Sequence, residues 1–225
     1  MPRGNRTYFN GDKYEGELQG EIRNGHGIYY FANGNKYDGN WRNNVIDGRG
    51  TFFWNDGSKY EGEWKNGKRE GKGSYFLNNG TKLEGNWKND VLEGQGKCFW
   101  NDGNKYEGNF TQNRFNGKGT FFWNNGMKYE GNWDNNKKTG NGILTFNNGN
   151  KYEGEFKNDK SEGRGTHQYN NGERYEGTWS NGMCNGNGTY YFNNGDRTVG
   201  DFKQNKATGT HNRNCANGQL QTVKY

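Results

Sequence analysis

The acidic residues are the side chains of this sequence best suited to acid–base chemistry, and several stand two residues apart, as Glu61 and Glu63 do. Alternation along a β-strand would place both on one face. The acidic position of Glu61, however, belongs to a 23-residue unit and is filled in eight of its nine copies, with Val199 as the exception. A catalytic pair occurs once, and its surroundings drive the two pKa values apart. A carboxylate that recurs in this way indicates a solvated ladder of charges, so we predict that the protein is not an enzyme.

Histidine and cysteine residues could bind a metal ion, but their spacing does not favour it. The three histidines lie in different repeats, and no CxxC or HxxxH spacing occurs; the residues are His26, His167, His211, Cys98, Cys184 and Cys215. The Gly-x-Gly elements are not phosphate loops, because no Gly-x-x-x-x-Gly-Lys-Ser/Thr motif is present. We therefore predict no metal, no catalytic residue and no cofactor. Three cysteines form no disulfide framework, which favours a reducing compartment.

The composition excludes further classes of function. Lysine and arginine number 31 against 25 aspartates and glutamates, and the resulting charge of +6 is spread along the chain. A nucleic-acid-binding protein would show a basic stripe or cluster instead. The first residues, Met1 to Arg6, lack the apolar core of a signal peptide, and no apolar run approaches about 18 residues. We expect a cytoplasmic protein that binds no nucleic acid.

The chain is organised by the sequence Lys59-Tyr60-Glu61-Gly62-Glu63-Trp64, which recurs every 23 residues without an insertion or deletion. A fixed period of this length indicates a repeat array. An Asn-Gly or Asp-Gly dipeptide precedes each copy, as at Asn10-Gly11, and predicts a hairpin turn in which both residues have positive φ. A Gly-x-Gly strand that ends in aromatic residues completes the unit. The predicted class is all-β, and we number the repeats 1 to 9 from residue 13.

Strand alternation predicts two different faces. The first, which we call the ring face, carries the tyrosine, glycine and tryptophan positions, and a ring can lie flat over a neighbouring glycine there. Only 27% of the residues are hydrophobic, but 16% are aromatic, and rings bury large areas each. We interpret one set of rings as structural: Tyr14, Tyr37, Tyr60, Tyr106, Tyr129, Tyr152, Tyr175, Trp41, Trp64, Trp87, Trp133 and Trp179.

The second face, which we call the charged face, combines rows of lysine and glutamate with a second row of aromatic residues. The row is interrupted by Thr145 and Gln168, and its aromatic members are Tyr30, Phe53, Phe76, Phe99, Phe122 and Tyr191. These rings either stack on the lysine stems and serve the packing of the sheet, or they form a partner-binding stripe. An exposed row of rings usually marks an interaction site. We name the six aromatic residues as candidate partner-binding residues.

The stretch from Tyr60 to Gly73, YEGEWKNGKREGKG, closely resembles the MORN (membrane occupation and recognition nexus) repeat, and the resemblance covers nearly the whole chain in nine copies. It implies an elongated, single-layer antiparallel meander of about nine 23-residue β-hairpins with a groove of aromatic rings. We expect one array over residues 1–225: a partial entry repeat (1–12) that precedes repeat 1, nine repeats from about residue 13, and a capping strand (219–225). We expect no second domain.

The resemblance also implies a range of functions. MORN arrays occur in radial-spoke heads of cilia, in cytoskeletal rings, in junctional membrane proteins, and in front of lipid-kinase or methyltransferase domains. Because this chain shows no transmembrane tail and no catalytic domain, we expect a scaffold or adaptor that binds other proteins in a cytoskeletal or ciliary (axonemal, radial-spoke-like) assembly. Self-association is a further option for such an array.

An alternative partner is the anionic phospholipid membrane. A basic residue begins every copy of the first strand, from Lys13 to Arg197, and each could contribute about 1 kcal/mol near an anionic surface. The adjacent glutamate row faces the same way and opposes this attraction. Specificity could also lie in variable loops after the first strand, where we place Lys68-Arg69, Lys137-Lys138, Val45-Ile46, Val91-Leu92, Phe115 and Met183.

Overall fold

The computed structural model describes residues 1–225, which form twenty β-strands and no helix. The chain divides into two compact units, Met1–Arg114 and Phe115–Tyr225. The strands of the first unit are β1 (Arg3–Thr7), β2 (Lys13–Gln19), β3 (Ile22–Tyr30), β4 (Lys36–Arg42), β5 (Val45–Phe53), β6 (Lys59–Lys65), β7 (Lys68–Phe76), β8 (Lys82–Lys88), β9 (Val91–Phe99) and β10 (Lys105–Thr111).

The strands of the second unit are β11 (Arg114–Phe122), whose first residue ends the first unit, β12 (Lys128–Asp134), β13 (Lys137–Thr145), β14 (Lys151–Lys157), β15 (Lys160–Gln168), β16 (Arg174–Ser180), β17 (Met183–Tyr191), β18 (Arg197–Lys203), β19 (Lys206–Asn214) and β20 (Leu220–Lys224). Within each unit, every strand pairs antiparallel with its neighbours in the sequence, as β6 does with β5 and β7. The predicted all-β antiparallel meander of hairpins is therefore confirmed.

The two kinds of hairpin turn differ from the prediction. At Asn10-Gly11 only the glycine has positive φ (88°). The turn is one residue longer than predicted, because the Tyr8 N–H bonds the Asp12 carbonyl at 2.9 Å and the Gly11 N–H bonds the Tyr8 carbonyl at 3.0 Å. In such three-residue turns only the last residue is left-handed. The Asn10 side chain instead accepts a hydrogen bond from the Asp12 N–H at 3.2 Å.

Paired positive φ values occur in the other loop of repeats 2 to 9, which the sequence indicated only as polar. Asn43 (φ 47°) and Asn44 (φ 67°) connect β4 to β5 in this way. Two left-handed residues in succession match the twist of the flanking strands. Each repeat has a short first strand of seven residues, such as β4, and a long second strand of nine, such as β5. Because this loop holds only two residues, the long strand starts earlier than the sequence suggested, at Val45 in repeat 2.

Tyrosine rings and glycines form the core of the ring face. Tyr60 is fully buried, and a Cβ atom at Gly62 or Gly73 would overlap its ring and hydroxyl group. The Tyr60 hydroxyl donates to the Glu63 carbonyl (3.3 Å), beside a register shift between Gly62 and Glu63. The indole N–H of Trp87 donates to the Gly73 carbonyl (3.1 Å). The predicted contact between rings and glycines is confirmed, and the buried phenol and indole groups have hydrogen-bond partners.

Repeat 9 builds the same contact with other residues. Thr198 occupies the tyrosine position, and His211 replaces the second glycine of Gly-x-Gly. The His211 ring is fully buried against Gly200, where a Cβ atom would overlap it. Its Nε2 lies 2.9 Å from the Asp201 carbonyl, and its Nδ1 lies 3.3 Å from the Thr198 hydroxyl. In repeat 9 the buried ring is therefore supplied by the long strand β19, whereas the repeats that contain the tyrosine supply it from the short strand.

We expect Gly73→Ala to reduce the free energy of unfolding by about 3 kcal/mol or more, because the added methyl group displaces the Tyr60 ring and its hydrogen bond. Gly94 is the matched control, because its φ is +72° but a Cβ atom there meets nothing within 4 Å. Gly94→Ala should cost only the backbone strain of about 1–2 kcal/mol. Urea unfolding of both variants measures the difference, and equal losses would contradict the ring contact as the cause.

Candidate functional site

The six candidate aromatic residues of the charged face end long strands, each opposite the basic residue that begins a neighbouring short strand. Phe76, for example, lies opposite Lys59 in β6 and Lys82 in β8. Tyr30 is 37% exposed, whereas Phe53 and Phe76 are half-buried. Phe99, Phe122 and Tyr191 are half-buried as well. The structure thus places the six at equivalent positions of their hairpins, with part of each ring open to solvent.

Basic side chains stack on several of these rings. The Lys36 Nζ lies 4.4 Å from the centre of the Phe53 ring, and the Lys59 Nζ lies 4.6 Å from that of Phe76. The Arg174 Cζ lies 3.7 Å from the centre of the Tyr191 ring. Cation–π contacts of this kind contribute about 0.5–1 kcal/mol at exposed sites. The basic side chains therefore cover part of each stacked ring. The rest of the ring surface is exposed, and the prediction that it binds a partner depends on this exposure.

The basic row of the charged face is paired with the glutamate row. Lys151 and Glu153 form an ion pair at 2.8 Å, and Arg174 and Glu176 form one at 2.7 Å. Hydrogen bonds from Lys105 and Lys97 lower the pKa of Glu107. Exposed pairs of this kind stabilise a protein by roughly 0–1 kcal/mol. Their main consequence is that the basic row is largely neutralised by its own strand.

The twelve rings of the proposed structural set line the ring face, and each is at most 8% exposed. Their phenol and indole groups bond to the backbone in the pattern described for Tyr60 and Trp87. Burial raises the pKa of Tyr152 to about 12, so this hydroxyl group stays protonated at neutral pH. These residues therefore form a core and offer no reactive group.

The prediction that the variable positions lie in loops is wrong, because these residues belong to the long strands. Leu92 is the second residue of β9 and is fully buried on the ring face. The Arg69 guanidinium lies 4.5 Å from the centre of the Trp87 ring. The ring centres of Phe115 and Trp133 are 5.5 Å apart. The two-residue turn moves these side chains into the strand, and alternation then directs them to the ring face.

Sequence reasoning also missed an outer row of half-buried rings on the ring face. Its members follow directly after the long strands and are Phe31, Trp54, Trp100, Trp123, Phe146, Tyr169 and Phe192. Phe52 and Trp54 are 4.6 Å apart between ring centres, so the outer ring packs on the core at its inner edge. The signal was available, because a large apolar residue stands two positions before the turn dipeptide of repeats 1 to 8, from Asn33-Gly34 to Asn194-Gly195.

The structure shows no cluster of metal ligands. No group of three or more histidine, cysteine, aspartate or glutamate side chains is placed to hold a metal ion. Cys98 and Cys184 are buried free thiols, and burial raises the pKa of Cys184 to about 11. Burial also lowers the pKa of His167. No helix has the length and hydrophobicity that a membrane span requires.

The sequence pattern and this hairpin geometry define a family. The family model for the MORN repeat matches eight consecutive segments, at residues 14–36, 37–59, 60–82, 84–105, 106–128, 129–151, 152–174 and 175–197. The chain belongs to the MORN repeat family. The family consists of repeat scaffolds of the protein- or membrane-binding type, and its repeat is a non-enzymatic structural unit.

Solved structures resemble the chain only distantly. The TCP domain of SAS-4 from Drosophila melanogaster, in complex with a proline-rich motif of Ana2, is 16% identical, with 70% of this chain and 90% of that chain covered and a TM-score of 0.46. The TCP10 domain of CPAP from Danio rerio, in complex with a STIL peptide, is 11% identical, with 99% and 84% covered and a TM-score of 0.47. No curated protein sequence matches the chain. At these levels of identity and superposition the likenesses carry no functional argument.

We expect Lys138→Leu to stabilise the protein by about 1 kcal/mol at neutral pH, because a leucine already fills the equivalent position at Leu92. Burial of Lys138 lowers its pKa, so the unfolded chain binds this proton more tightly than the folded chain does. Wild-type stability should rise as pH increases through the interval between these two pKa values. The gain from the substitution should shrink over the same interval.

Thermal unfolding from neutral to alkaline pH measures this effect. Lys137→Leu is the matched control, because Lys137 is exposed and adjacent. A gain from Lys138→Leu that does not exceed that of the control would show that burial of the charge carries no cost.

Proposed function

We propose that the protein is a non-enzymatic scaffold that binds other proteins through the exposed parts of its aromatic rows. The observation that carries this proposal is the half-buried row of rings on the charged face, which the core does not require. Thr145 and Gln168 occupy the same position in repeats 6 and 7, where the strands pair as they do elsewhere. Partly exposed rings in a regular row usually mark an interaction site.

The proposed partners are proteins of a cytoskeletal or ciliary assembly. Membership of the MORN family supports a scaffold role, because the repeats of this family form protein- or membrane-binding scaffolds. Three free cysteines support a reducing, cytoplasmic compartment. A sheet with residues at a fixed spacing can present several equivalent contacts to one elongated partner, which increases the strength of binding.

The alternative function is binding to anionic phospholipid membranes. The basic row that starts each short strand favours it, at about 1 kcal/mol per residue near a membrane surface. The ion pairs with the glutamate row, such as Lys151 with Glu153, weaken it. The alternative predicts binding to vesicles that requires acidic lipid and decreases with salt.

Phe76→Thr combined with Phe99→Thr tests the docking row. We expect the double variant to remain folded, because threonine occupies the equivalent position at Thr145. It should bind co-purifying partner proteins at least about tenfold more weakly, which corresponds to roughly 1.4 kcal/mol. Lys65→Ala combined with Lys88→Ala is the matched control, because both lysines are exposed at the ends of β6 and β8.

Affinity purification with the full chain as bait, followed by a binding assay with each purified partner, gives the result. Unfolding of the phenylalanine double variant would assign those rings to the core. Full binding by a folded double variant would place the docking surface elsewhere. Sedimentation with vesicles that contain or lack acidic lipid, at two salt concentrations, tests the alternative in parallel.

A further inference from the structure

Three carboxylates stand on the ring face, one position before a basic residue that starts a short strand. They are Asp12, Glu173 and Asp196, and the other repeats have neutral residues there. Asp196 forms an ion pair with Arg213 at 2.7 Å. Asp12 interacts with the charge of Arg23. Neither Asp12 nor Glu173 forms an ion pair. The hydrogen bonds of Glu173 from a tyrosine and an asparagine repeat those of Asp12, but no basic residue stands at the position of Arg23.

Near Asp12, the chain places an arginine side chain among three aromatic rings. The Arg23 guanidinium lies 4.4 Å from the centre of the Trp41 ring, 4.7 Å from that of Tyr29 and 5.7 Å from that of Tyr8. The Tyr29 hydroxyl donates to Asp12 at 2.7 Å. The three rings and the carboxylate thus surround a cation supplied by the chain itself.

Asn44 anchors the Arg23 side chain from the following turn. The Arg23 Nη2 donates to the Asn44 carbonyl at 3.0 Å, and the Arg23 backbone N–H donates to the Asn44 Oδ1 at 2.8 Å. These bonds fix the guanidinium over the rings. Arginine suits this position because its planar group stacks on rings and donates several hydrogen bonds at once.

Seven repeats later the same frame recurs without the cation. Tyr169, Tyr190 and Phe202 replace Tyr8, Tyr29 and Trp41, whereas Cys184 replaces Arg23. We call Tyr169, Tyr190, Phe202 and Glu173 the repeat-8 cage.

The geometry of the two frames agrees at the two tyrosines and the carboxylate. The ring centres of Tyr169 and Tyr190 are 5.9 Å apart, against 5.7 Å for Tyr8 and Tyr29. The Tyr190 hydroxyl donates to Glu173 at 2.7 Å, the same distance as for Tyr29 and Asp12.

The turn that anchors Arg23 is also retained. Asn205 corresponds to Asn44, and its Oδ1 accepts the Cys184 backbone N–H at 2.8 Å. Its carbonyl oxygen corresponds to the one that bonds the Arg23 guanidinium. The repeat-8 cage therefore keeps the rings, the carboxylate and the turn of the arginine site, and its short cysteine side chain cannot supply the charge.

We propose that the repeat-8 cage binds the guanidinium group of an arginine that belongs to a partner protein. This inference rests on the proposed function as a protein-binding scaffold and names one of its contacts. The guanidinium stacks over Tyr190 and Phe202, faces Glu173, and takes the place that Arg23 holds in repeat 1. Hydrogen bonds from Tyr190 and Asn171 lower the pKa of Glu173, so the carboxylate is ionised at neutral pH. The charge that it presents is complementary to arginine.

N-acetyl-arginine amide is the probe for this site, and N-acetyl-citrulline amide is the neutral probe of the same shape. The ring resonances of Tyr169 and Tyr190 in the full chain are followed by NMR during titration with each. We expect saturable shifts with the arginine probe and binding at least about tenfold weaker with the citrulline probe. Equal shifts with both probes would overturn the proposal.

Two variants locate the effect. Cys184→Arg should fill the cage from within, raise the thermal midpoint and abolish the shifts. Glu173→Gln keeps an acceptor for the Tyr190 hydroxyl and should weaken the arginine probe about tenfold, which keeps the test valid if Cys184→Arg does not fold. Glu153→Gln is the control, because Glu153 is exposed on the charged face, and it should change nothing. Unchanged arginine binding in a folded Cys184→Arg or Glu173→Gln variant would overturn the proposal.

The same variants separate this inference from the proposed function. If partner proteins bind the wild-type chain and the Glu173→Gln chain equally, the cage proposal is wrong and the scaffold function stands. If no partner protein binds the wild-type chain but the arginine probe still saturates the cage, the scaffold function is wrong and the cage is a cation site without a protein ligand.

Discussion

The packing of a tyrosine ring against two glycines is the interaction on which the rest of the structure depends. Tyr60 lies on Gly62 and Gly73, where a Cβ atom on either glycine would overlap it, and its hydroxyl satisfies the Glu63 carbonyl at the register shift. An aromatic side chain buries about 150–250 Å², so one ring per hairpin can supply the apolar area that several aliphatic residues would otherwise provide. This explains how a chain with only 27% hydrophobic residues builds a core.

Much of this organisation could be predicted from the sequence, because the period, the turn dipeptides and the alternation of Tyr60, Gly62 and Trp64 each have a direct structural meaning. The turn types could not be predicted as well. Asn-Gly suits both a two-residue and a three-residue turn, and only the hydrogen bonds of the flanking strands select the second. The other loop of the repeat was indicated only as polar. Its length of two residues, Asn89 and Asp90, places Leu92 in the core and not in the loop where the sequence-based prediction put it.

Departures from the repeat identify the candidate sites. Thr145 interrupts the aromatic row of the charged face and so separates that row from the core, and Cys184 leaves a cage without its cation. Such departures are visible in the sequence, but their meaning depends on knowing what surrounds the equivalent residue. Arg23 gave no sign in the sequence that it lies over rings, so the significance of Cys184 became apparent only from the geometry of repeat 1.

The most direct measurement of the central claim is the nuclear Overhauser effect between glycine α-protons and tyrosine ring protons. One α-proton of Gly50 and one of Gly73 point at the rings of Tyr37 and Tyr60, because a Cβ atom in either place would lie within 2.8 Å of Cζ and Cε2. We predict strong effects between these α-protons and the ε-protons of the two rings, and no such effect for Gly57 and Gly126, where a Cβ atom would meet nothing within 4 Å. Absence of the effects at Gly50 and Gly73 would contradict the account.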